Sequence, residues 1–338
     1  MLLKALTQLN GTSGAEQEIR TTLTEELRPF VSSIQTDKIG NLIVQKNSLS
    51  TGPKVMIAAH MDEVALMITA ITSEGFLKFK PVGGIDSRIL VSKPVQINSL
   101  LGVIGAKAIH LQKPKEREQA LKIEQLYIDI GATAKEEAEK HVKIGDYAYF
   151  YTETESLGEG YWKGKAFDDR VGCTLLAELL KKDYPLNLIG AFTVQEEVEL
   201  RGSAIAAFHV QPDLAIILEG TISAHMMEVE EGAWVTEPGK GPALSIMDSA
   251  TLYQPKLLQQ VTELADKNGI PYQFRKGHNG GNDAGSIHLS REGIPTIAIS
   301  VPCRYIHSTA SVMAEADLQN ALKLVDIILK SIPNEFKF

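Results

Sequence analysis

One stretch, Ala191-Phe192-Thr193-Val194-Gln195-Glu196-Glu197-Val198, constrains the fold more than any other. It closes an apolar run from Leu186 to Val194 that reads as a buried strand. Successive side chains on a strand point to opposite faces, so adjacent glutamates can serve one site only if the strand ends and the chain turns. Glu199, Arg201 and Gly202 follow at once, consistent with such an ending. In an open α/β sheet, ligands bind at the carboxyl ends of strands. The pair then has two readings: two solvated carboxylates, or one metal ligand beside one general base.

Other runs repeat the theme. Lys54 to Ala59 is apolar and ends in His60-Met61-Asp62; Leu214 to Leu218 ends in Glu219; Thr296 to Val301 leads to His307-Ser308. Helical spacing is found over Leu2–Leu9, Asp169–Lys181, Ser203–Phe208, Tyr253–Lys267, Ala284–Leu289 and Ala316–Leu329. Ser13-Gly14-Ala15-Glu16 has the capping-box pattern and opens a helix through about Leu27. Ile34 to Gln45 reads as a hairpin turning at Gly40-Asn41, and Tyr272–Arg275 as a short strand. From Leu66 to Tyr151 the texture differs. Short apolar runs alternate with Gly, Pro and Ser clusters, which predicts a small β-barrel or sandwich. A short helix over Ala134–His141 and a charged surface loop over Lys113–Glu118 interrupt it. The expectation is an α/β domain with a β-rich insertion.

A chain of 338 residues with 44% hydrophobic content supports a sizeable core and two domains. The net charge of −8 argues against non-specific nucleic-acid binding, which needs basic surface. No apolar run is long enough to span a membrane, and Met1–Asn10 reads as a helix and not as a signal peptide; a cytoplasmic protein with no membrane partner is expected. Cys173 and Cys303 are expected to be reduced, buried and inert.

In a doubly wound sheet the polar strand ends would lie along one edge, joined by Asp168 and Asp169 at the start of a helix. Two histidines among carboxylates suit borderline divalent metals such as Zn²⁺, Co²⁺ or Mn²⁺. Each residue also has an ordinary explanation: Asp168 or Asp283 as a helix N-cap, Glu219 as a strand end, His60 as a hydrogen-bonded core histidine.

Four motifs together, His60-Met61-Asp62-Glu63-Val64, Lys165-Ala166-Phe167-Asp168-Asp169-Arg170, Gln195 to Gly202 and Arg304-Tyr305-Ile306-His307-Ser308, resemble those of the tetrahedral (TET-type) dinuclear metallo-aminopeptidases, in particular their glutamyl aminopeptidase branch. The likeness covers nearly the whole chain, including Gly83-Gly84-Ile85-Asp86. It implies an α/β/α zinc-peptidase-like catalytic domain over 1–65 and 156–338, and an inserted PDZ-like β-barrel used for dimerisation over 66–155. It further implies that His60, Asp168, Glu197, Glu219 and His307 ligate two divalent ions, Zn²⁺ or Co²⁺, with Asp168 bridging. Glu196 would be the general base for a metal-bridging hydroxide attacking the scissile carbonyl, and Asp62 would orient His60. At position 219 many relatives carry Asp, so this chain reaches farther there. The implied partners are peptides with a free N-terminus and other copies of the chain, in a homo-dodecamer built from dimers.

An acidic substrate side chain needs a buried cation. Arg275-Lys276, just before Gly277-His278-Asn279-Gly280-Gly281, is the candidate pair, with the glycines letting backbone approach substrate; Arg88 and Arg304 fit general structure better. The alternatives are a metal-dependent deacylase, a broad leucyl-type aminopeptidase and a metal-stabilised scaffold without activity. A glycosidase using Glu196 and Glu197 would leave the two histidines without a purpose.

Overall fold

The computed structural model describes residues 2–46, 52–277 and 280–338. Its centre is four parallel strands in the order Asn187–Thr193, Lys54–His60, Leu214–Ile222, Thr296–Arg304. Their side chains are almost all buried, which is why they read as continuous apolar runs: helices or loops cover both faces. The hairpin Ser33–Thr36/Leu42–Gln45 extends one edge antiparallel. Ser311–Ala314, Tyr161–Gly164 and Glu155–Ser156 extend the other. Ala243–Ser245 also pairs with Thr296–Arg304 and carries Gln273–Arg275 beside it.

The helices Phe167–Leu180 and Glu315–Glu335 pack against this sheet and each other, and Arg201–Val210 against the Asn187–Thr193 strand. One hydrophobic core, running from Leu3 to Met61 and from Phe167 to Ile332, fills the layers. A second, separate core lies within a closed six-stranded barrel: Ala65–Ile71, Leu77–Val82, Tyr127–Asp129, Leu100–Gly105, Pro94–Ile97 and Tyr147–Phe150, in that order. Leu66 and Ile68, Leu77 and Phe79, Val95 and Ile97, Ala148 and Phe150 point into it at alternate positions. The fold is thus mixed α/β with an inserted small barrel.

Several local expectations change. The Ser13–Glu16 capping box does not form. The Gln17–Leu27 helix has no side-chain cap, because Ser13 and Glu16 are recruited elsewhere. The Leu214 strand continues three residues past Glu219 to Ile222, held by pairing with Thr296–Arg304. The charged Lys113–Glu118 stretch contains a one-turn helix, Pro114–Arg117, and the Ala134–His141 helix shortens to Lys135–Ala138. Asp283 precedes the Ala284–Ile287 helix, but its side chain accepts from Thr193 Oγ1 (2.6 Å) and does not cap.

Candidate active site

Parallel register places the site. His60 pairs with Thr193, and Ile217 with Ala58, so two further residues bring Glu219 level with His60. Past Thr193 the chain turns: Gln195 adopts a left-handed backbone (φ 57°), as do Glu199 and Leu200. The amides of this elbow, buried or partly buried, are met by side chains from other segments. Val194 N–H donates to Asn41 Oδ1 (3.0 Å) and Gln195 N–H to Glu16 Oε1 (3.2 Å). Asp62 takes the next two, Glu196 N–H at Oδ1 (3.0 Å) and Glu197 N–H at Oδ2 (3.1 Å), and Ser13 Oγ donates to Oδ2 (2.7 Å). One buried carboxylate thereby fixes the backbone of both glutamates.

Asp168 and Asp169 depart from helical geometry at the start of the Phe167–Leu180 helix, and the peptide between them is cis. The Asp168 backbone passes directly over Gly220, where an added Cβ would fall 3.0 Å from the Asp168 Cα. Asp168 Oδ1 lies 3.2 Å from His60 Nε2, and Oδ2 lies 3.4 Å from His307 Nε2. His307 stands on a turn whose left-handed residues Tyr305 and His307 fold the chain back. Its Nε2 is 3.2 Å from Glu197 Oε2, while Glu196 Oε2 is 3.9 Å from His60 Nε2. The ligand atoms of His60, Asp168 and Glu197 lie within 4.8 Å of one another, as do those of His60, Glu196 and Glu219.

The other ring nitrogen of His60, Nδ1, faces the backbone carbonyl of Asp62 (3.0 Å) more closely than its carboxylate (3.4 Å). The Asp62 carboxylate thus stands beside the His60 ring and holds the elbow as well. Ser13, Glu16 and Asn41, which the sequence suggests as cap and turn residues, support the site instead, as does Asp169. Asp169 accepts from His60 N–H (3.0 Å), fixing the backbone from which the ring projects.

The electrostatics are those of crowded acids. Burial, reinforced by its neighbours Glu196 and Asp168, pushes Glu219 well up. Burial likewise raises Glu196, with Glu197 and Asp283 adding to it against the opposing pull of His60. Glu197 is pushed up to about 7 by burial and by Asp168, against His307. Burial opposes the protonated rings of His60 and His307, but the surrounding acids outweigh it, raising both, His307 to about 9. Asp168 is lowered, as its two histidine partners overcome its burial. Such a set is costly without cations, and its imidazole and carboxylate donors fit divalent metals that accept N and O ligands.

A cleft of about 310 Å³ opens from these residues. Its far wall includes Thr221, Ser249, Gly280, Gly281 and Arg275. Arg275 is buried, its Nε donating to Thr221 Oγ1 (3.1 Å) and its Nη1 to the Gly277 carbonyl (3.2 Å). Lys276 is not brought to the site. It is exposed and lines a different cleft with Trp234 and Phe274. Arg88 is an exposed ion-pair partner of Asp86, and Arg304 Nε donates to the His225 carbonyl. His278 and Asn279 of the glycine-rich stretch lie outside the described residues.

Comparison with known proteins shows the family. Residues 40–324 match the family model described as M42 glutamyl aminopeptidase. The chain is 31% identical to the lysyl aminopeptidase of Pyrococcus furiosus, over 99% of this chain and 98% of that one. It is 30% identical to the glutamyl aminopeptidase of Lactococcus lactis subsp. cremoris, over 98% and 96% respectively. The solved structure of the Pyrococcus horikoshii TET1 peptidase superposes with a TM-score of 0.85 at 36% identity, covering 97% of this chain and 98% of that one. The chain belongs to the M42 glutamyl aminopeptidase family.

Proposed function

We propose that this aminopeptidase is dinuclear, and that it prefers peptides beginning with Glu or Asp. The carrying observation is Asp168, whose two oxygens face two different histidines. His60, Asp168 and Glu219 would hold one ion, and His307, Asp168 and Glu197 the other, Zn²⁺ and Co²⁺ being the best fits. What bound divalent cations supply at such a site is Lewis-acid polarisation of a carbonyl and acidification of water. Glu196 takes the proton from the attacking water and returns it to the departing amine. Because Glu196 Oε2 also lies near His60, a metal count in a Glu196→Gln variant decides between base and ligand.

Arg275 at the far wall would pair with the substrate's acidic side chain. Glu199, on the same cleft, would favour a basic one, and the lysyl and glutamyl relatives are equally similar, so sequence identity does not decide. An aminoacyl-anilide panel after metal exchange does. Glu- and Asp-anilides should outpace Leu- and Lys-anilides, chelation should abolish activity, and Co²⁺ or Zn²⁺ should restore it. The reverse order removes the acidic preference alone; full activity after verified metal removal refutes the mechanism. Acetylated substrates separate a deacylase, and bound metal with no peptide hydrolysis would indicate a scaffold.

The reading extends to assembly. The Pyrococcus horikoshii relative can assemble into a tetrahedron or a large octahedral shell. Here residues 66–155 would form the dimerisation unit and 1–65 with 156–338 the catalytic unit of a homo-dodecamer. Light scattering that returns a monomer would reject it. Among the described residues, no helix is long and apolar enough to cross a membrane.

A further inference from the structure

Behind the acidic cluster lies a group of buried charges that the mechanism above does not use. Glu63, Lys165 and Arg170 are each at most 3% exposed. Lys165 Nζ donates to Glu63 Oε1 (2.7 Å), Glu63 Oε2 (2.8 Å) and the Leu9 carbonyl (3.0 Å), which uses all three ammonium hydrogens. Arg170 Nη2 donates to Glu63 Oε1 (3.1 Å) and the Gly11 carbonyl (3.4 Å), and Nη1 to the Met61 carbonyl. Gly11 N–H completes the shell of Glu63 Oε1 (3.2 Å). A cavity of about 10 Å³, room for one water, is lined by Glu63 and Lys165 together with Asp168, Glu197 and His307.

Stability alone is a weak explanation of this arrangement. Two buried cations sharing one carboxylate carry a desolvation cost, and apolar replacements of similar volume often do as well or better. Geometry does explain it. Asp168 stands three residues after Lys165 and two before Arg170. Its own backbone (φ −84°, ψ 106°) and that of Asp169 (φ −123°, ψ 43°) are not helical, so helix hydrogen bonds do not fix where its carboxylate points. Asp169 anchors one side through the His60 and Gly172 amides, and the cations on either side of Asp168 add two further anchors, both held by Glu63.

We propose that Glu63, through Lys165 and Arg170, is a positioning residue that sets the Asp168 carboxylate between His60 and His307. The inference rests on the proposed metal-bridging role of Asp168. The test titrates Co²⁺ into metal-stripped wild type and the variants Glu63→Gln, Lys165→Met and Lys165→Arg, reading Kd, stoichiometry and the visible Co²⁺ absorption, with kcat and KM alongside. Ile328→Ala, in the core of the final helix, serves as a destabilised control. Glu63→Gln and Lys165→Met should weaken Co²⁺ binding about 10- to 100-fold, the range for groups that orient metal ligands. They should also alter the absorption and lower kcat more than they change KM. Lys165→Arg, which keeps the charge, should recover affinity, and Ile328→Ala should lose thermal stability with unchanged Kd and spectrum. Folded Glu63→Gln and Lys165→Met proteins with wild-type Kd and spectrum overturn the inference. Should both fail to fold, Glu63→Asp decides: weakened binding supports the role and unchanged binding overturns it. Wild type that binds no divalent metal refutes the dinuclear reading itself, an outcome distinct from unaltered variants.

Discussion

Asp62→Asn is the sharpest probe of how the two glutamates are held. The Asp62 carboxylate is fully buried and accepts three hydrogen bonds, from Glu196 N–H, Glu197 N–H and Ser13 Oγ. Asparagine keeps one oxygen and presents an NH₂ group in place of the other. Ser13 can rotate to accept from that group, but a backbone N–H cannot. Whichever way the amide is turned, one elbow amide therefore faces a donor. Hydrogen bonds to charged groups contribute about 1.5–3 kcal/mol, and an unsatisfied buried donor costs about 1–3 kcal/mol. The bond that survives also loses its charge assistance. Together these give a loss of about 3–5 kcal/mol, a large share of the roughly 5–15 kcal/mol typical of a folded domain.

The effect on turnover follows from position. Misplacing a catalytic group by about 1 Å can cost on the order of 100-fold. The variant should therefore show a fall in kcat of that order in metal-replete protein, together with a clearly lowered Tm. Ser13→Ala removes one donor to this carboxylate and leaves both amides held, so it should cost about 1.5–3 kcal/mol, less than Asp62→Asn, and keep most of kcat. Anilide hydrolysis with matched metal analysis, and thermal melts of the three proteins, make the measurement. An Asp62→Asn protein that folds with near-normal kcat would refute the argument that this carboxylate fixes the elbow.

Three further outcomes are expected. Glu196→Gln should retain metal and fold and lose roughly 100- to 10,000-fold in kcat, as expected for removal of a general base; near-normal kcat with full metal content rejects the assignment. Arg275→Gln should lower kcat/KM for Glu-anilide about 10- to 100-fold relative to Leu-anilide, the equivalent of one charge-assisted bond, and an unchanged ratio removes Arg275 from specificity. In metal-stripped protein, Glu197 (about 7 against an ordinary 4.5) and His307 (about 9 against 6.5) hold protons that the unfolded chain releases. Their contribution to stability is present below those ordinary values and is lost as pH rises through 7 and 9. The Tm of stripped protein should thus fall between pH 6 and 9 relative to metal-loaded protein, and parallel profiles would contradict it.

The parts of this fold that depend on burial were legible in the chain. Strands covered on both faces read as unbroken apolar runs, and the barrel strands as short segments with turn signals. Their polar ends marked the site because a parallel sheet gathers such ends on one side. What the sequence hid depends on partners distant in the chain. Ser13 to Glu16 carries a capping pattern, yet Ser13 serves Asp62, and Glu16 serves the backbone of Gln195 together with that of Gly14. Local chemistry could not reveal that a tertiary acceptor would outcompete the helix end. Arg275 and Lys276 are a different case. The strand ends at Arg275, whose side chain faces the cleft, while Lys276 just beyond it faces solvent.

The same alternation rule makes Glu196 and Glu197 a problem for any site that needs both. The chain resolves it in two moves. Gln195 breaks the strand by turning left-handed, which releases the pair from the pleat. The break exposes two consecutive amides with no strand partner, and Asp62, two residues beyond His60, is placed by the neighbouring strand to accept both. A histidine at the end of the first strand therefore brings with it the carboxylate that orients the end of the second. His60 and Asp62 belong together for a reason of backbone satisfaction as much as of ligand orientation. Displacing that strand end would move His60, Glu196 and Glu197 together.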